Sequence, residues 1–255
     1  MVRRRFYAPP VGFAPDGLTV TLAADETRHL RDVLRLKRGD EVFVFDGEGR
    51  EYACVIDHVD GSAATLHVSE EVAPARPESP LRLTLALALL KGEKFDLVVQ
   101  KATELGVGRI VPVLTKLSDV RPRDEQDAAR RTTRLRRIAL EASKQSGRAR
   151  VPLIDAPVAF QSLIESASTE VEEWRLMFAE RGGRSLVETI NQASRDEHEA
   201  LTALVGSEGG WTDEEIAEAH KAGWSIITLG GRTLRAETAA ITVAALLQHM
   251  MGDLR

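Results

Sequence analysis

The sequence is poor in the residues that staple or anchor a chain. Cysteine occurs once in 255 residues, at Cys54. That excludes an intramolecular disulfide and a zinc site built on cysteines. Within "EYACVIDHV" the residue reads as a small core side chain. Long apolar runs are missing too. The longest lie near Leu83–Leu90 and Ala239–Leu247, too short to cross a bilayer. The opening "MVRRRFYAPP" is basic without the apolar stretch of a signal peptide. A cytoplasmic protein with no membrane partner is expected. The six histidines are scattered, so no metal site is expected. No internal repeat or low-complexity tract interrupts the chain.

What is present is charge, and it is unevenly placed. The net charge is −5, which taken alone speaks against a polyanionic partner. Residues 121–150, however, hold ten basic and four acidic side chains, and residues 1–40 hold eight and five. Residues 160–220 hold four and fourteen. Segregated basic segments can present a face to RNA, although solvated helix surfaces give the same pattern.

Residues 1–72 are predicted mainly as strands: "RRRFYA", "GLTVTL", "DEVFVFD", "REYACVIDHV" and "ATLHVSEEV" are short, β-branched or aromatic, and bounded by turns. "DGEG" at 46–49 joins two of them as a hairpin. One helix, "DETRHLRDVLRL", is expected to run until Gly39 ends it. The pattern suggests a small barrel. "APARPESP", residues 73–80, has three prolines and reads as a linker. In residues 81–255 apolar strands alternate with helices, the signature of a covered parallel sheet. A long basic helix is expected over about 125–145. "PVAFQSLIESAS" reads as helical, and a last helix, apolar nearly all round, is expected over Ala236–Met251.

Two glycine turns follow strands of this second part. In "ALTALVGSEGGWTDEE" an apolar run ends at Gly206, and Thr212 with Glu215 forms a capping box that starts a helix near Asp213. Ligands bind at the carboxyl ends of such strands. A dinucleotide fold would need G-x-G-x-x-G, and a P-loop would need Lys then Ser or Thr. Neither is here, and Glu208 would repel a phosphate. The turn suits a neutral or cationic ligand, or no ligand at all. The second turn, "LGGRTLRAET", brings Gly230 and two guanidiniums to the start of the last helix.

"VGSEGGWTDEE" followed by "LGGRTLRAETAA" resembles the paired signature of the 16S ribosomal RNA uridine-N3 methyltransferases, members of the SPOUT superfamily. "HLRDVLRLKRGDEVFVFDGEGREY", "KGEKFDLVVQKATELGV" and "IALEASKQSGRARVP" are similar to further motifs of that family, in the same order along nearly the whole chain. The resemblance implies an N-terminal PUA-like β-barrel that binds RNA, and an α/β domain of SPOUT type carrying a parallel sheet and a deep trefoil knot. It also implies S-adenosylmethionine as methyl donor, a homodimer, and 16S ribosomal RNA or the small ribosomal subunit as substrate. Three departures stand out: Ser207 where the family usually has proline, Gly231 where proline is common, and Leu117 where arginine is usual.

The implied cofactor carries no phosphate, so close backbone approach matters more than positive charge. Gly206, Ser207, Glu208, Gly209, Gly210 and Gly230 are expected to allow that approach. Backbone groups near Leu229 and Leu234 are expected to read the adenine, Ala179 and Glu180 to form a third wall, and Arg235 and Thr238 to complete the site. Methylating N3 requires loss of an imide proton. Arg235 is the candidate to stabilise charge developing on the uracil carbonyls, and Glu237 the candidate general base. Their structural alternative is an ion pair at a helix start. RNA contacts are expected from Arg3, Arg4, Arg5, Lys91, Lys94, Arg136, Gln145 and Arg148. A ribose 2′-O methyltransferase of the same superfamily and a noncatalytic RNA-binding protein remain the rival readings.

Overall fold

In the computed structural model, residues 3–166, 173–192 and 200–254 are described. They divide into two compact units. One takes the chain up to Glu78 together with Leu140–Val151; the other takes Ser79–Ala139 and the chain from Pro152 on.

The first unit is built on β1 (Arg5–Tyr7), β2 (Thr19–Leu22), α1 (Ala24–Arg28), β3 (Glu41–Phe45), β4 (Glu51–Val59) and β5 (Ala64–Val72). The strand order is β1-β3-β4-β5-β2. β1 runs parallel to β3, and the remaining neighbours are antiparallel. β1 and β2 are not paired, so the sheet is a curled half-barrel rather than the closed barrel expected. Its concave core holds Phe6, Leu22, Leu30, Val44, Ile56 and Leu66. The β3–β4 hairpin is set by Asp46, whose Oδ1 accepts from the N–H groups of Glu48, Gly49 and Arg50. The expected helix over 25–36 is different in kind. α1 ends at Arg28, a π-helical turn follows over His29–Val33, and the chain reverses at Arg35, short of Gly39.

Cys54 lies within this core, 1% exposed, and burial pushes its thiol up to about 12. A thiol at pH 8 with that value is almost wholly protonated and unreactive. An aromatic disulfide reagent at pH 8 is therefore expected to leave the native protein unmodified and to label one equivalent once denaturant is added.

The second unit contains β6 (Arg82–Ala88), α2 (Lys94–Glu104), β7 (Arg109–Leu114), α3 (Glu125–Ser146), β8 (Leu153–Ile154), β9 (Val158–Ala159), α4 (Phe160–Glu165), β10 (Glu173–Phe178), α5 (Leu186–Gln192), β11 (Ala200–Val205), α6 (Asp213–Lys221), β12 (Ser225–Ile227) and α7 (Ala236–Met251). Residues 140–146 of α3 count with the first unit. All strand pairs are parallel, in the order β12-β10-β11-β6-β7-β8, with β9 also on β7. The central strands are buried on both faces. Ala86, Val111, Met177 and Leu204 meet Phe160, Trp211 and Ala219 in one core. α7 packs against α2, β6 and β11. The segment "PVAFQSLIESAS" is helical only from Phe160, because Val158 and Ala159 extend the sheet instead.

Candidate active site

The carboxyl ends of β10, β11 and β12 converge on a cavity of about 500 Å³, an ordinary size for a small-ligand site at the strand ends of an α/β sheet. Three chain segments wall it. The first is Phe178–Glu180, leaving β10. Its position depends on the loop behind it. Ala179 N–H donates to Ile227 O at 2.9 Å, Arg184 N–H to Ile226 O at 2.9 Å, Thr228 N–H to Arg184 O at 3.0 Å, and Gly183 N–H to Thr228 Oγ1 at 3.0 Å. A Cβ on Gly183 would stand 2.5 Å from Ile227 C and 2.6 Å from Thr228 N, so only glycine fits. Sequence reasoning passed over Gly183; its sole signal is the Gly-Gly pair after Arg181.

The second wall is the turn after β11, Val205–Glu208. Its glycines pack against the protein's own groups, and Gly206 also lines the cavity. A Cβ at Gly206 would meet the Trp211 indole at 3.0 Å, one at Gly209 would meet Leu117 Cβ at 2.9 Å, and one at Gly210 would meet the Glu180 carboxylate at 2.6 Å. The protein's own groups demand these glycines, and Gly209 and Gly210 do not line the cavity. The Trp211 Nε1–H donates to Phe178 O at 2.9 Å, locking the turn to β10. Ser207 is tied to the loop after β7. Its hydroxyl donates to Leu117 O at 3.0 Å, so two of the three departures from the family pattern are in contact with each other. Both halves of the capping box form, and the Glu215 carboxylate also accepts from Lys116 N–H at 2.8 Å, tying α6 to the loop after β7.

The third wall is Thr228–Ala236, together with Ala239. Among the described residues, the backbone N–H and C=O groups of residues 229–234 make no hydrogen bond. A Cβ on Gly230 would meet nothing within 4 Å. Both features leave this backbone unpaired by the fold and open on the side of the cavity.

Charge of both signs borders the cavity. Lys94 Nζ lies 2.9 Å from Glu208 Oε1 and 3.9 Å from Glu237 Oε2. Burial pulls the Glu208 carboxyl up, but the Lys94 hydrogen bond and the N–H groups of Glu208 and Lys91 outweigh it and hold it below its ordinary value. Glu237 Oε2 is buried with no hydrogen-bond partner. Arg235 is the N-cap of α7, yet its side chain makes no cap bond and no ion pair among the described residues. The ion pair between Arg235 and Glu237 therefore does not form; Lys94 takes that place. Arg232, left without a role by sequence reasoning, also lines the cavity, whereas Glu237 and Thr238 do not.

The RNA candidates separate sharply. Arg5 is buried against Glu51, with its remaining N–H groups on Lys144 O and Arg148 O. Arg148 is buried on Glu78. Arg3 is shared between Glu51 and Ala73 O and stacks on Phe43. These three hold the first unit together, and the buried charges of Arg5 and Arg148 are met by internal partners. Arg136 is exposed but donates to Ile154 O, and Lys91 pairs with Asp119 at 2.6 Å. Lys94 belongs to the cavity. Arg4 and Gln145 remain exposed, and their side chains have no partner among the described residues. Among the described residues no cluster of histidine, cysteine and carboxylate side chains could hold a metal ion, and no helix is long and apolar enough to cross a membrane.

Sheet, cavity and half-barrel together define an RNA methyltransferase. The family model for an RNA methyltransferase domain matches residues 77–248, and that for an RNA methyltransferase PUA domain matches residues 22–69. The chain belongs to the ribosomal RNA small subunit methyltransferase E family. It is 33% identical to that enzyme from Synechocystis over 234 residues, covering 91% of this chain and 74% of the relative. It is 29% identical to the Rickettsia conorii enzyme, covering 89% and 88%. The fold is similar to a Neisseria gonorrhoeae ribosomal RNA small subunit methyltransferase E bound to S-adenosylmethionine, with a TM-score of 0.86, 31% identity and full coverage of both chains. It is also similar to a Legionella pneumophila protein in complex with the same cofactor, with a TM-score of 0.85, 29% identity and full coverage of both chains.

Proposed function

We propose that this protein transfers a methyl group from S-adenosylmethionine to N3 of a specific uridine in 16S ribosomal RNA of the small ribosomal subunit, in the cytoplasm and as a homodimer. The observation that carries the reading is the unpaired backbone of residues 229–234 facing a cavity bordered by both carboxylates and cations. A ligand with an adenine edge, a sulfonium, an ammonium and a carboxylate matches that set of donors and acceptors. Residues 1–72 are the RNA-binding PUA-like domain, 73–80 the linker, and 81–255 the SPOUT-type domain with its trefoil knot. Support for the homodimer comes from α7. Its Ile241, Ala245 and Leu246 are only half-buried, and Leu97 of α2 and Leu234 are exposed.

S-adenosylmethionine supplies an electrophilic methyl group when bound. The residues of the chain do the rest. Backbone groups of Leu229 and Leu234 hold the adenine, Ala179, Glu180, Gly206, Ser207 and Glu208 close the opposite side, and Gly230 leaves room. Gly209 and Gly210 let the turn pack against Leu117 and Glu180, and Thr238 completes the site from the first turn of α7. The Arg235 guanidinium faces negative charge as the uracil N3 proton is lost. Glu237, behind the cavity wall with Lys94 3.9 Å from its Oε2, takes that proton through a bridging water. Arg4 and Gln145 contact RNA, with Lys91 and Arg136 in weaker supporting roles.

Calorimetry and nucleoside mapping test the reading. S-adenosylmethionine is expected to bind with micromolar affinity and ATP not at all. 16S ribosomal RNA from a deletion strain is expected to lack one N3-methyluridine, which returns with the wild-type copy. A missing ribose 2′-O-methyl nucleoside instead would favour the sister chemistry. Cofactor binding with no nucleoside change would leave an RNA-binding protein.

A further inference from the structure

We infer that the reversal at Arg35, in the first unit, is a phosphate-gripping contact for the RNA substrate. This inference rests on the RNA substrate proposed above. Arg35 has φ of 54°, the one non-glycine residue in the left-handed region among those described. It closes the π-helical turn: Leu34 N–H donates to His29 O and Leu36 N–H to Leu30 O, both at 3.0 Å. Helices commonly end in this conformation, but on glycine, because a Cβ is strained there. π-turns and strained non-glycine residues both concentrate at functional positions.

The strain aims a surface. Leu30 and Leu36 anchor the turn in the core, 0% and 7% exposed. Everything between and beside them faces outward. The side chains of Arg28, Arg35 and Lys37 are exposed and make no hydrogen bond or ion pair among the described residues. Asp32 is engaged by Arg31 at 2.6 Å and Asp57 by Arg38 at 3.1 Å, while Asp25 and Asp40 accept from the backbone N–H groups of Glu26 and Lys37. Between the cations, Val33 and Leu34 are 64% and 38% exposed. Cations whose side chains have no ion-pair partner among the described residues, set around two apolar side chains, suit a phosphate backbone with a ribose or base edge between its charges. An anionic membrane fits less well, because so short a turn has no extended apolar helix face. None of these three cations was among the RNA contacts expected from the sequence, although Arg35 and Lys37 lie in its "HLRDVLRLKRGD" motif and Arg28 directly precedes it.

The test uses the full chain and the variants Arg35→Gly, Arg35→Asn and Arg35→Lys, with a 16S ribosomal RNA transcript as probe. Glycine relieves the backbone and removes the cation. A merely tolerated arginine and a functional one therefore give opposite patterns. Arg35→Gly is expected to raise Tm by about 2 °C, to weaken transcript binding at least roughly five-fold, and to reduce the magnitude of the salt slope of log K by about 1. S-adenosylmethionine affinity should stay unchanged. Arg35→Asn should follow Arg35→Gly, and Arg35→Lys should keep most of the affinity. Wild-type transcript binding by Arg35→Gly overturns the inference, as does a fall in its Tm, which would make the arginine a fold residue. Tighter binding of the wild type to phosphatidylglycerol vesicles than to the transcript also overturns it. A wild type that binds S-adenosylmethionine but no transcript overturns the RNA substrate itself, a distinguishable failure.

Discussion

Arg235→Ala is expected to lower kcat by roughly 10²- to 10³-fold, the usual cost of removing a donor aimed at developing charge, with Tm within about a degree of wild type. The separation of the two effects comes from its surroundings. Arg235 is exposed, makes no internal ion pair, and caps α7 through its backbone alone: its carbonyl accepts from Ala239 N–H at 2.8 Å. An alanine keeps that bond. Glu237 is a poorer target for the same question, because its carboxylate is largely buried beside Lys94 and a substitution there alters packing and charge together. Arg235→Lys should recover part of the rate, since an ammonium keeps the charge but loses the planar fork. Single-turnover methylation of small subunits from the deletion strain, beside a thermal melt, provides both readouts. A fall of less than ten-fold would reduce Arg235 to a helix-start residue.

The parts of this molecule that could be read from the sequence are those decided by neighbours along the chain. α7 spans the expected Ala236–Met251, a nearly continuous apolar run bounded by Arg235 at its N-cap and Gly252 at its C-cap. The capping box at Thr212 and Glu215 is local chemistry and forms as read. The alternation of strands and helices was enough for a parallel sheet. What stayed hidden depends on partners far away in sequence. Arg5 was a candidate RNA contact from its run of arginines and Arg148 from the family-like "KQSGR" motif, but their carboxylate partners Glu51 and Glu78 lie 46 and 70 positions distant. The glycines of the first turn looked like room for a ligand. The Cβ directions at Gly206, Gly209 and Gly210 point at Trp211, Leu117 and Glu180, which no local pattern predicts. The placement of β12 beside β10 rather than β11 is likewise a long-range choice.

That contrast among glycines gives the second large effect. Gly183→Ala and Gly230→Ala make the same chemical change on two walls of one cavity, and opposite outcomes are expected. At position 183 the added methyl would sit 2.5–2.7 Å from Ile227 C, Thr228 N and Thr228 Oγ1. Two of these are backbone atoms and cannot rotate away. The loop must lift off β12 and give up the bonds of Gly183 and Arg184, an overpacking cost of about 1–3 kcal/mol. Tm should fall by several degrees, and cofactor affinity should fall with it as Ala179 and Glu180 shift. At position 230 nothing stands within 4 Å of the methyl, and φ lies outside the left-handed region. The fold should not respond, and Tm without cofactor should hold within about a degree. The methyl nevertheless enters space bordered by a ligand cavity. Cofactor affinity should drop roughly ten-fold, or about 1.4 kcal/mol, and further for Gly230→Leu. Melts with and without S-adenosylmethionine measure both quantities in one series. Full cofactor stabilisation in Gly230→Leu would mean that the open space beside residue 230 belongs to solvent, and the ligand would have to be sought against a different wall.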